Sequence, residues 1–304
     1  MEMPSETRGS DPSDRTRSLE RGVDILRAFK PGSGLLGNGE IAERTGLARS
    51  TVSRLTQTLV ACGLLEHERT TRAYRLAPTV LSLAHAMRSA HPVLPAVEPL
   101  LRELASRYRI NAGLAAPDRD DIVYLATVRF NQDEPLRQIV AGQRIPMALT
   151  ALGRAFLATL DPDALSDQLA CLRLRHPQRW PSTLREIKRS IGEVRQQGWC
   201  AVSWQAGVVS VATPLSGLAP PLVINVSMTT DDPRGAARAL APRLLELKAS
   251  IVALLSAREI ASPRSEQRGG VGKRQGERSV AELDPLTPID HRLSRKRRDP
   301  AGKR

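Results

Sequence analysis

The apolar positions of the chain change period several times, and each change marks an element. In LARSTVSRLTQTLVACGLLE, residues 47 to 66, they recur as on a helix. At about 100° per residue, Val52, Leu55, Leu59 and Val60 share one face, and Ser50, Arg54, Gln57 and Ala61 lie opposite, flanked by Ser53 and Thr58. The apolar face belongs against a core. The other carries hydroxyls, an amide and a guanidinium but no acid, whereas a solvated face usually mixes signs. Those groups hydrogen-bond base edges and phosphates. Upstream, GNGEIAERTGLARSTVSRL supplies the rest of a helix-turn-helix. Asn38 is expected to cap a short first helix, with Ile41 and Ala42 buried. Gly46 takes the left-handed turn. The spacing Ala42, Gly46, Val52, Leu55 favours this reading over an ordinary amphipathic helix.

The flanks extend the motif to a winged domain. Ser18 is expected to cap a helix with Glu20 in its first turn and an apolar stripe of Leu19, Val23, Leu26, Ala28 and Phe29. Leu64–His67 and Ala73–Leu76 read as two short strands around the turn ERTTR, residues 68 to 72. This hairpin carries Arg69, Arg72 and Arg75, suited to phosphate or minor-groove contact. The expected DNA contacts are therefore Arg49, Ser50, Thr51, Ser53, Arg54 and Gln57 on the second helix and Arg69, Arg72 and Arg75 on the wing.

TVLSLAHAMRSA, residues 79 to 90, predicts a linker helix with Val80, Leu83, Ala84 and Met87 on one face, ending before Pro92. Beyond it, helices and strands alternate. VLPAVEPLLRELASRYRI is helical, and NAGLAAP and DIVYLATV are strands around the turn 117 to 120. PLRQIVAGQRI is expected to be a third strand. TALGRAFLATL, DPDALSDQLAC and STLREIKRSIGEVRQQG are helices; WCAVS, VVSVATPL and PLVINVSMTT are strands. Residues 231 to 257 form a closing helix. Hairpins flanked by helices predict an α+β domain around a central antiparallel sheet.

Composition narrows the function. Lys and Arg number 45 against 32 Asp and Glu, a net charge of +13 that suggests a polyanion partner, although part of the excess sits in the tails. No run of about 18 apolar residues exists, and MEMPSETRGSDPSDRTR has no apolar signal core, so a cytoplasmic protein without membrane contact is expected. Cys62, Cys171 and Cys200 are far apart, which argues against zinc or disulfides; all three are expected to be buried free thiols. His85 and His91 read as surface or junction residues. No nucleophile elbow, metal spacing or carboxylate pair beside a histidine occurs, so no catalytic residue, metal ligand or cofactor is expected. An enzyme and a nucleoid-type DNA binder remain the competing readings; the second would not need the large C-terminal domain.

Four stretches together resemble the IclR family of bacterial transcription regulators: SLERGVDILRAF (18 to 29), EIAERTGLARSTVSRLTQTLVACGLLE (40 to 66), GQRIPMALTALGRAFLATL (142 to 160) and RQQGW with GVVSVATPL (195 to 215). The resemblance spans roughly residues 15 to 257. It implies a winged helix-turn-helix, a linker helix and a GAF-like effector-binding domain, acting as a homodimer or dimer of dimers on double-stranded operator DNA, often of catabolic operons. With composition it divides the chain into a disordered N-terminus (1 to 14), winged domain (15 to 77), linker (78 to 91), effector-binding domain (92 to 257) and disordered basic tail (258 to 304). Ser294 to Arg298 in that tail either adds non-specific DNA affinity or is inert.

The resemblance also points to Ala151, Leu152, Ser203, Pro214, Asn225 and Ser227 around a small-molecule effector, a carboxylate or aromatic acid. A helix start at residues 150 to 153 offers N–H groups to a carboxylate. Asn225 and Ser227 share one strand face, either as a pocket wall or as the exposed face of an edge strand. Relatives often carry acids before the penultimate strand. Here AVSWQAGVV has none, and Trp204 either stacks on a ring or caps the core.

Overall fold

The computed structural model describes residues 17–130, 140–175, 177–215, 217–218 and 221–261. The winged domain is built from α1 (Arg17–Ala28), β1 (Leu36–Gly37), α2 (Asn38–Thr45), α3 (Arg49–Ala61), β2 (Leu65–Glu68) and β3 (Ala73–Leu76), with an antiparallel sheet in the order β1-β3-β2. Ile25, Ile41, Val52, Leu55, Leu59, Leu65 and Tyr74 form its core. Gly46 has φ 71° and its N–H donates to the Ala42 carbonyl, so the chain turns out of α2 as the sequence predicts. The helix starts lie earlier than the caps expected from the sequence. Gly37, not Asn38, is the cap of α2, with its N–H donating to Glu40 Oε2 at 3.0 Å. Asn38 instead accepts from the buried Thr56 hydroxyl of α3 at 3.4 Å, tying the two helices together. Ser18 lies inside α1. The two-residue β1 was not expected: it is too short for an alternating pattern.

Two apolar stripes expected from the sequence are left uncovered in part on α1 and throughout the linker helix, although Leu26 and Phe29 of α1 pack on the core. In α1, Gly22, Ile25 and Ala28 are buried, while Leu19 is 69% exposed and Val23 also faces out. The linker helix α4 (Thr79–Ala90) has no buried residue, and Leu81, Leu83 and Met87 are exposed.

The second domain runs through α5 (Leu94–Tyr108), β4 (Asn111–Asp118), β5 (Asp121–Val128), β6 (Arg144–Pro146), α6 (Ala151–Leu157), α7 (Pro162–Arg175), α8 (Trp180–Gln197), β7 (Cys200–Gln205), β8 (Val208–Leu215), β9 (Leu222–Thr229) and α9 (Pro233–Ala261). The six strands form an antiparallel sheet in the order β6-β5-β4-β9-β8-β7. One face packs on α5 and α9 through Leu101, Leu114, Val211, Ile224, Val226 and Leu244. The other packs on α6 and α8 through Tyr124, Leu152, Leu157, Ile187, Ala212 and Val223. The third strand is shorter than expected: within the described part of 135 to 145, residues 141 and 142 turn, and the ladder with β5 begins at 144, although Gly142 and Gln143 already bond to Tyr124. The closing helix runs four residues past 257, to Ala261. The expected N-terminal tail (1 to 14) and all of the expected C-terminal tail beyond residue 261, including the basic run 294 to 298, lie outside the described residues.

Helix α6 fits because one residue has no side chain. A Cβ on Gly153 would sit 2.0 Å from the Met147 carbonyl oxygen and 2.5 Å from its carbon. The neighbouring Arg154 is buried, donating to the Ala148 carbonyl at 3.1 Å and pairing with Glu186 of α8 at 2.7 Å. Backbone, unlike a flexible side chain, cannot give way at such a distance. Gly153→Ala is therefore expected to lower stability by ~1–3 kcal/mol or more, read as a lower urea midpoint at unchanged slope.

Candidate nucleic-acid interface and effector pocket

Helix α3 is anchored by Val52, Leu55 and Leu59 and by Thr56, whose hydroxyl also donates to the Val52 carbonyl at 2.9 Å. That anchoring fixes what the helix presents outward. Arg49, Ser50, Arg54 and Gln57 are exposed; Thr51 and Ser53 are half-buried beside them. No side chain caps the start of α3 at Ala48, and the first turn holds no acid. Its free N–H groups and positive dipole end suit a phosphate. Among the described residues no carboxylate pairs with Arg49 or Arg54.

The wing follows directly. Cross-strand pairing sets Glu66 opposite Arg75, and the two form an ion pair at 2.7 Å. Arg75 thus props the hairpin as well as facing outward. Glu68 accepts from the Thr70 N–H at 3.1 Å, which holds its carboxyl below the usual range. Arg69 and Arg72 are exposed at the tip, and Arg72 sits at φ 52°. Among the described residues neither has an ion-pair partner, so both remain available to a phosphate backbone.

The six residues expected around an effector separate in the fold. Asn225 and Ser227 lie on the α6/α8 side of β9, opposite Gly113 and Asn111 of β4, and line a cavity of about 60 Å³ with Tyr124, Thr127 and Gln205. Ala151 and Leu152 are buried in the core. The start of α6 is not bare: Thr150 Oγ1 accepts from the Gly153 N–H at 3.3 Å and donates to the Pro146 carbonyl at 2.9 Å. Ser203 and Trp204 are exposed on β7. Pro214 lines a different cavity, of about 420 Å³, with Arg195, Gly198 and Lys248. Burial holds the Lys248 ammonium below its usual pKa.

The Asn225 environment is the polar centre of this domain. The residue is 4% exposed. Its amide donates to Ser210 Oγ at 3.0 Å, while its Oδ1 is buried without a partner among the described residues. Gly113 makes the arrangement possible, because a Cβ there would lie 2.6 Å from Tyr124 Cε1 and 2.9 Å from Asn225 Oδ1. The ring of Tyr124 thereby crosses β4 towards Asn225. Burial pushes its phenol well above the ordinary range, against a smaller lowering by the neighbouring Asn225 side chain, so the hydroxyl stays protonated. Tyr124, Asn111 and Gln205 were not anticipated. The signal was the alternation in DIVYLATV, which sets Ile122 and Tyr124 on one face, but pairing of β4 with β9 was needed to bring Asn225 opposite.

The thiols differ from expectation: Cys62 and Cys171 are exposed, and only Cys200 is buried. Cys62 is the C-cap of α3, and Cys171 lies on the outer side of α7, beside the buried Leu172. No group of three or more potential metal ligands occurs among the described residues, and none of the described helices is long and apolar enough to cross a membrane.

Comparison with known proteins agrees with this architecture. The IclR helix-turn-helix domain matches residues 18–69, and the bacterial transcriptional regulator IclR C-terminal domain matches residues 85–252. The Pca regulon regulatory protein of Pseudomonas putida is 31% identical over 210 residues, covering 67% of this chain and 70% of that protein. The crystal structure of an IclR family transcriptional regulator from Brucella abortus is 32% identical with a TM-score of 0.73, covering 82% of this chain and 96% of that one. An IclR homolog from Microbacterium hydrocarbonoxydans, solved in complex with 4-hydroxybenzoate, shares the fold at 19% identity and a TM-score of 0.58, covering 79% and 99% of the two chains. The outward polar face of α3, the wing beside it and two matched domains in the same order lead to one assignment: the chain belongs to the IclR family of bacterial transcriptional regulators, as a DNA-binding regulator and not an enzyme.

Proposed function

We propose that this regulator binds a two-fold operator as a homodimer or dimer of dimers in the cytoplasm, and that a small carboxylate or aromatic acid sets its operator affinity, in control of a catabolic operon. The observation that carries the DNA half is the exposed, acid-free face of α3 with Ser50, Arg54 and Gln57. Arg54 would read a base edge, with Ser50 and Gln57 beside it. Arg49, Thr51 and Ser53 would position the helix, and Arg69, Arg72 and Arg75 would hold the flanking backbone.

Assembly is supported by the apolar surface that the single chain leaves uncovered on α1 and α4. Leu19, Leu81, Leu83 and Met87 have no reason to face water in a lone chain, and a second copy would bury them. The effector reading is supported by the buried cluster of Tyr124, Asn225 and Ser227. An unpartnered buried acceptor is costly, of the order of ~1–3 kcal/mol; a ligand hydroxyl or acid proton at Asn225 Oδ1 would remove that cost. The 4-hydroxybenzoate held by the Microbacterium homolog carries both a hydroxyl and a carboxylate. Ala151 and Leu152 would then form the apolar floor, with Ser203 and Pro214 at the margins of the same domain.

Arg54→Ala is expected to weaken binding to the control region upstream of its own gene by ~1–3 kcal/mol, with little effect on random duplex. Arg72→Ala should weaken both equally and flatten the salt dependence by about one counterion. Filter binding across a salt series reads both, and unchanged affinity in both variants removes α3 and the wing from the interface. Footprinting should show half-sites about one DNA turn apart or a multiple of that. Sedimentation of Leu81→Glu combined with Met87→Glu should give a lighter species than wild type at the same concentration. Asn225→Leu should abolish calorimetric binding of 4-hydroxybenzoate, used as the probe, while operator affinity without ligand stays near wild type; normal binding by the variant would move the pocket elsewhere.

A further inference from the structure

The turn between β4 and β5 carries more charge pairing than any other short stretch of the described residues. Asp118 Oδ1 pairs with Arg27 of α1 at 2.7 Å, and its Oδ2 with Arg144 at 2.8 Å. Arg119 pairs with Asp24 of α1 at 2.8 Å. Asp120 and Asp121 are held by Arg175 of α7 and Arg144, and Gln168 of α7 donates to the Arg119 carbonyl at 3.1 Å. The turn is thus fixed from inside its own domain, and two pairs cross from it to the winged domain.

Arg119 is the informative residue. Asp118 and Asp121 pair directly, so the connection is a two-residue hairpin, and Arg119 occupies its first position at φ 55°. Glycine is the usual occupant when that position has positive φ. An arginine there is harder to accommodate, and the contact its side chain makes is with the other domain. The crossing pairs border a cleft of about 910 Å³. Their side chains are partly open to water, which suits a releasable contact.

The same two strands reach the polar cavity. Asn111 and Ala112 of β4 and Tyr124 and Thr127 of β5 line it. Tyr124 lies three residues from Asp121, about 10 Å along the strand. A register shift between Leu114 and Ala115 places an irregular joint beside Tyr124's partner. Arg88 of the linker helix, moreover, donates to the Leu125 carbonyl and pairs with Glu98. One hairpin therefore touches the cavity, the linker and α1.

We propose that the β4–β5 turn is an ionic clasp that sets the orientation of the winged domain through Arg27–Asp118 and Asp24–Arg119, giving the pocket a second route to the DNA-binding helices beside the linker. The coupling half of this rests on the effector reading above; the clasp itself does not.

The exposed thiols supply the probes, because Cys62 lies in the winged domain and Cys171 on α7, while Cys200 is buried with its thiol pushed up to about 12 and does not react. Nitroxide labels on these two cysteines of the full chain, diluted with excess unlabelled Cys62→Ser/Cys171→Ser chain, report the distance within one subunit. Wild type should give one narrow distribution. Asp24→Asn and Arg119→Gly should broaden it, as should raised ionic strength; the glycine keeps the turn conformation. Arg189→Gln, which loses only the surface pair with Glu193 on α8, should leave it unchanged. Superimposable distributions for wild type, Asp24→Asn and Arg119→Gly overturn the clasp. In a second arm, 4-hydroxybenzoate is titrated into wild type and Arg119→Gly with and without the upstream control region. Equal ligand affinity with an operator response reduced at least about threefold supports the second route; an undiminished response overturns it. Failure of the wild type to bind this probe counts against the effector class alone, the clasp having been decided by the distances.

Discussion

Strand β9 is covered on both faces, and the rest of the C-terminal domain depends on that double burial. It pairs with β4 on one side and β8 on the other. Ile224 and Val226 point to α5 and α9, while Val223 points to α6 and α8. A strand in this position normally reads as continuous apolar sequence, because either face would otherwise strand a polar group away from water. Asn225 and Ser227 are the exceptions, and both fall on the α6/α8 face. Ser210 and Gly113 flank Asn225 on its two neighbours, one as a hydrogen-bond partner and the other as the gap through which Tyr124 approaches. The polar centre is therefore a property of three adjacent strands.

This explains which parts of the protein were legible in the sequence. Elements with a clear apolar period or an unbroken apolar run announced themselves: α3, the wing strands, β4, β5, β8, β9 and α8 fall within a residue or two of the expected segments, and Gly46 and Gly198 end their helices in the left-handed conformation. Caps were less legible, since Gly37 and Asn38 compete for one position and the fold uses Asn38 to hold Thr56. Tyr124 could be set on a face but not opposite Asn225, because the β4–β9 pairing joins residues more than a hundred positions apart. Ala151 and Leu152 illustrate the converse: in a helix buried all round, periodicity does not say which residues border a cavity. The exposed thiols and the outward Leu19 and Met87 are surfaces that apolarity alone assigns to a core.

The two domains use polar burial in opposite ways. In the winged domain, Thr56 is fully satisfied within α3 and by α2, so α3 sits on a rigid base. In the C-terminal domain, Asn225 keeps one acceptor unsatisfied beside a cavity. The first arrangement fixes a geometry. The second leaves a site whose energy changes when something fills it.

The bare linker helix has a consequence for how the molecule transmits force. Twelve residues are about the shortest length at which an isolated helix holds together in water, and most helical stability comes from packing an apolar face. Helix α4 has no packed face of its own. Its rigidity then depends on whatever covers Leu81, Leu83 and Met87; if a second copy does so, as proposed above, the rod between the two domains would soften in dilute solution as subunits part. Under the assembly and effector binding proposed above, linker stiffness would become a function of protein concentration, and the response to the effector would vary with the number of copies in the cell.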